Sequence, residues 1–266
     1  MALFDFMRRR KAAPPPAPAG QALTMVLLPH AGPVNGAAAF EHLRATWAGS
    51  PTLSGVETKE GATTADVEGG HLALLHVPFP VPAGDLEGPV ALAWHWPQAR
   101  EVTAAHQSHV IVHAAGTAMS MVDLRLLHTR LAAAVLETAG GSGVYLGDAM
   151  LVRSAEDFAA DARTASRSTL PLLSWVGFFP IVERGRTTGY TRGMSGFGLL
   201  ELEIRDSKMP PHEVLGTLAD AAHYQLSTGR VLRDGDTYGE NAGDRNRVRH
   251  VRSSIVPEIT VALLEM

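Results

Sequence analysis

Two glutamates, Glu201 and Glu203, stand two residues apart in LLELEI (199–204), directly behind the glycine-rich stretch TTGYTRGMSGFG (187–198). On a strand that spacing places both carboxylates on one face, where they can ligate a cation or divide acid and base roles. The same alternation puts Leu200, Leu202 and Ile204 on the opposite face. That is the pattern of a half-buried antiparallel strand with a solvated side. The residues favour this second use, with each glutamate a surface charge facing an arginine such as Arg247 or Arg249. The glycines raise two further chemistries. A phosphate cradle needs a glycine loop that opens a helix, or a lysine at its end. Here a strand follows and no lysine is in place. A nucleophile elbow needs G-x-S-x-G on a strand-to-helix turn. Around Ser195 the residues run G-M-S-G-F, with the second glycine displaced. The stretch therefore reads as a glycine-hinged bend between strands, with Tyr190, Arg192 and Met194 presented to a partner.

Histidines are the other chemical resource. His106, His109 and His113 lie within HQSHVIVH. On a strand, His109 and His113 share a face but stand about 13 Å apart, too far to share a metal. On a helix they would be i and i+4, a zinc-binding pair, and the Val-Ile-Val centre favours the strand. A metal- or small-ligand-binding enzyme built on these three histidines is kept as an alternative. His95 sits between Trp94 and Trp96, an aromatic group suited to core packing or to a partner surface. DGDTYGEN (234–241) places Asp234, Asp236 and Asn241 near the spacing of a calcium loop, but Tyr238 occupies a ligand position. Asp-Gly turn chemistry accounts for it better.

The elements that must position these residues follow from periodicity. LTMVLLP (23–29), GGHLALLHV (69–77) and SHVIVHAAG (108–116) read as strands. SMVDLRLLHTRLAAAVLETAGG (120–141) is a helix capped by Ser120 and stopped by Gly140 and Gly141. Ser154 and Asp157 open a helix over 154–164. Two strands meet at a turn near 184–186, and Pro211 opens a helix over 210–226. RVRHVRS and EITVALLEM close the chain as strands. The expected fold class is α+β, with antiparallel sheets and helices packed on one face. The expected layout is a Pro/Ala-rich tail over 1–22, a ferredoxin-like half over 23–152 and a second α+β half over 153–266.

Bulk properties exclude several classes. The 266 residues carry 23 Lys+Arg against 27 Asp+Glu, so no basic surplus points to nucleic acid. With no cysteine, disulfides, thiolate metal sites and Cys nucleophiles drop out. A cytoplasmic setting is expected. The start, MALFDFMRRRKAAPPPAPAGQ, puts its apolar residues before its basic ones, the reverse of a secretory signal. It reads as a disordered tail ahead of the first domain, with a docking peptide for a scaffold role kept as an alternative. No apolar run is long enough for a stable membrane span.

The chain resembles an uncharacterised bacterial family known as a domain of unknown function. The resemblance is carried by HQSHVIVHAAG (106–116), GVYLGDAMLV (143–152), LPLLSWVGFFPI (170–181), YTRGMSGFGLLELEI (190–204) and DGDTYG (234–239). The glycine and acidic pattern of 190–204 is also similar to suppressor-of-fused-like domains, which act by binding partners and in some bacteria serve as immunity proteins. The resemblance implies a fold and no catalytic residues. The expected function is protein binding without catalysis or cofactor, as an immunity or accessory protein of a toxin or secretion system. Its contacts would come from Tyr190, Arg192, Met194, Trp94 and Trp96.

Overall fold

The computed structural model of the chain describes residues 20–47, 49, 51–116, 118–239 and 246–266. The N-terminal tail that suggested a docking peptide, and Asn241 of the calcium-like loop, lie outside the described residues. The chain divides into two compact units that part between Ser174 and Trp175. The sequence placed this boundary at 152/153, but the helix after that point packs on the strands before it.

In the first unit the apolar runs become β1 (Gln21–Leu28), β4 (Gly70–Val77) and β5 (Ser108–Gly116). Helix α1 (Gly36–Thr46) is capped by Asn35, whose side chain accepts from the Ala38 N–H. Next come β2 (Ser54–Lys59), β3 (Ala62–Val67), then α2 (Ala83–Ala91) and α3 (Ala99–Ala105). The unit ends with α4 (Met121–Thr138), β6 (Gly143–Leu146), β7 (Leu151–Ser154) and α5 (Ala155–Thr164). The sheet runs β2-β3-β4-β5-β1-β6-β7, and every neighbouring pair is antiparallel. The meander β2–β3–β4 extends the β-α-β alternation expected of a ferredoxin-like half.

Both predicted serine caps form: Ser120 accepts from the Asp123 N–H and Ser154 from the Asp157 N–H. Helix α4 packs on β1 and β5 and is flanked by α1 and α5, so its residues are buried nearly all round. On the opposite sheet face α2 and α3 cover Leu27, Tyr145 and Val152 through Leu86, Trp96 and Ala99.

The second unit contains β8 (Gly177–Glu183), β9 (Arg186–Arg192), β10 (Glu201–Ser207), α6 (Pro211–Thr228), β11 (Thr237–Tyr238), β12 (Asn246–Arg252) and β13 (Thr260–Glu265). Its sheet runs β11-β12-β13-β10-β9-β8. Strand β10 pairs parallel with β13 and antiparallel with β9, so it lies at the centre of a mixed sheet. Helix α6 packs across β8, β9 and β10. The approach is close because β9 offers Gly189 there: a Cβ on it would stand 2.5 Å from Val214 Cγ1. The α+β class expected from the sequence is the class observed, and no helix among the described residues is long and apolar enough to cross a membrane.

Candidate functional site

Between β9 and β10 the glycine-rich stretch folds as one 3-10 turn, Met194–Phe197, with a left-handed glycine on each side. Gly193 has φ 114° and Gly198 φ 74°, a region that side chains disfavour. This geometry turns successive backbone N–H groups inward. The Glu201 carboxylate receives them: Gly193 N–H at 3.0 Å, Ser195 N–H at 3.0 Å and Met194 N–H at 3.3 Å. The Thr191 hydroxyl adds a fourth donor at 2.8 Å. The turn is an anion-binding nest occupied by the protein's own carboxylate.

Glu203 has the same kind of role on a second loop. It is 0% exposed and accepts from the Ser253 hydroxyl at 2.6 Å, the Ser254 N–H at 3.0 Å and Arg205 Nε at 2.6 Å. The Ser254 hydroxyl also donates to it. The alternation of LLELEI predicted solvent-facing glutamates, and this expectation is corrected: both carboxylates are buried. As a central strand, β10 has structure over both faces, and the carboxylates hold their places by accepting hydrogen bonds. Arg247 and Arg249 lie across β12, and Arg249 pairs with Glu265 instead.

The second motif, DGDTYG, anchors a crossing segment. Asp234 Oδ1 accepts from the His250 N–H at 2.7 Å, and Asp236 Oδ2 from the Arg233 N–H at 2.7 Å. His250 Nε2–H donates to the Leu232 carbonyl at 2.9 Å, and Gln225 Oε1 accepts from the Leu232 N–H at 3.0 Å. Both aspartates are thus engaged as turn residues. Between this fixed segment and the outer stripe of α6 lies a cleft of about 1090 Å³. Tyr224, Val231 and Met266 line it and are 41%, 50% and 52% exposed. Tyr238 forms part of the wall, and burial pushes its phenol pKa up to about 12. Sequence reasoning missed the cleft because its walls come from elements that no local pattern joins.

The histidines do not converge. His106 Nε2 accepts from the Val81 N–H at 2.8 Å and its Nδ1–H donates to the Thr103 carbonyl, so both ring nitrogens are engaged. His109 Nδ1–H donates to the Phe79 carbonyl at 2.9 Å. His113 lies four residues further along β5, as the strand assignment required. Burial lowers the pKa of His109 and His113, with smaller contributions from neighbouring histidines. Among the described residues no three His, Asp or Glu side chains are grouped to hold a metal.

The five residues expected to face a partner are divided. Trp94 is 74% exposed, its ring edge-on to His95, and Arg192 is half-buried. Tyr190, Met194 and Trp96 are buried. The Tyr190 ring packs against Phe179, with burial raising its pKa, and Trp96 belongs to the α2–α3 core.

Residues 190–264 match a family described as a domain of unknown function, DUF4261. The match runs from the glycine-rich turn to the last strand and contains both buried glutamates and the DGDTYG segment. No curated protein and no solved structure matches the chain.

Proposed function

We propose that the protein works by binding another protein, without catalysis, and that its biology is that of a bacterial immunity or accessory protein in a toxin or secretion system. The observation that carries the binding role is the cleft beside α6, where exposed Tyr224, Val231 and Met266 meet on one concave surface. Exposed aromatic and long apolar side chains around a formed cleft are the material of interface anchors. Exposed Trp94 gives the first unit an anchor of the same kind. The most polar features of the family-matched region, Glu201, Glu203, Asp234 and Asp236, are engaged in holding loops. The toxin-system role rests on the similarity of 190–204 to immunity-type domains. Coexpression tests it. Cells producing this chain should survive a toxin encoded beside its gene, and the two proteins should copurify. Failure to protect against, or copurify with, any such product would remove the toxin role.

A further inference from the structure

The chemistry of the cleft wall indicates what kind of partner segment it fits. The crossing segment that forms one wall is fixed before any ligand arrives, by Gln225 on Leu232, Asp236 on the Arg233 N–H and Asp234 on the His250 N–H. A wall held in this way loses little freedom on binding. On it stand Arg230 and Arg233, both exposed. Neither guanidinium has an ion-pair or hydrogen-bond partner among the described residues. Both acids of this segment, Asp234 and Asp236, accept from backbone N–H groups. The other carboxylate on the lining, Asp220, stands one turn before Tyr224 on α6, the opposite wall. Between the two arginines lies exposed Val231, with Tyr224 and Met266 also on the lining. Beside the lining, buried Gln225 has no partner for its Nε2 donor.

Two uncommitted guanidiniums around an apolar seat match carboxylates flanking an apolar side chain, since arginine forks pair with carboxylates in two parallel hydrogen bonds. We propose that this cleft receives a short segment of a partner protein in which acidic residues flank an apolar one. The proposal rests on the protein-binding reading above and assigns it a site and a recognition chemistry. At about 1090 Å³ the cleft is large for a small metabolite and suits several residues of peptide.

The test uses the full chain and a phage-displayed library of random peptides. Selected peptides should carry Asp or Glu within a few positions of a large apolar residue. A synthetic representative, followed by fluorescence anisotropy, should lose affinity about tenfold or more on Arg230→Glu/Arg233→Glu. Lys208→Glu, away from the cleft, should leave its affinity unchanged. Circular dichroism establishes that both variants are folded. No enrichment, enrichment of non-acidic peptides, or binding indifferent to the arginine double variant would overturn the proposal. If the chain captures a partner protein equally well with and without the two arginines, partner binding stands and this site is wrong. If acidic peptides bind through the arginines but no neighbouring toxin is captured, the site stands and the toxin role falls.

Discussion

A carboxylate inside a sheet is tolerable only when donors surround it, and Glu201 and Glu203 each have four. Glu201→Gln replaces an acceptor by an amide N–H2 aimed at N–H donors. It should destabilise the protein by about 3 kcal/mol, read as a lower urea midpoint at unchanged slope. His128 gives a second measurement at this scale. It is buried on α4, and its Nε2–H donates to the Val112 carbonyl at 3.1 Å. Burial, then the Arg125 charge, lowers its pKa to about 3, with His113 acting in the same direction and Asp148 opposing. The unfolded chain takes up this proton below about pH 6.5, while the folded chain refuses it until about 3. Its contribution is therefore complete above pH 6.5 and lost as pH falls through that window, at up to about 1.4 kcal/mol per pH unit. His128→Gln keeps a donor for Val112 and should flatten this part of the stability–pH curve.

At the scale of elements, local signals were legible and their neighbours were not. The serine caps of α4 and α5, the glycine stop after α4 and the strand character of 108–116 all follow from short-range chemistry, and all are present. The period-2 pattern of LLELEI correctly made β10 a strand. Its burial depends on parallel pairing with β13, about sixty residues later in the chain, which no local pattern encodes. The same limit hid the cleft, built from α6, the 229–239 segment and the final strand's end. Close packing of α6 on β9 depends on Gly189, where a Cβ would also stand 2.9 Å from Leu218 Cδ1. Gly189→Val should force α6 away from the sheet, with a loss of roughly 1–3 kcal/mol and a fall in near-ultraviolet dichroism. Gly185→Ala, in open space at a turn, avoids the clash and tests backbone strain alone at φ 73°. It should cost less than Gly189→Val in the same denaturation experiment.

Across the whole molecule, each unit has its own sheet and its own buried residues, and the family match falls entirely within the second. A fragment spanning 175–266 should accordingly unfold in one cooperative urea transition when produced alone. A non-cooperative melt would show that this sheet needs the rest of the chain. For function, we propose that the protein binds a toxin or secretion component encoded beside its gene. Isothermal titration calorimetry of the purified full chain against each toxin or secretion component encoded beside its gene tests it most directly. Saturable binding to one of them is the predicted result, with a negative heat-capacity change from burial of surfaces such as Tyr224, Val231 and Met266. Absence of binding to every one of these products would contradict it.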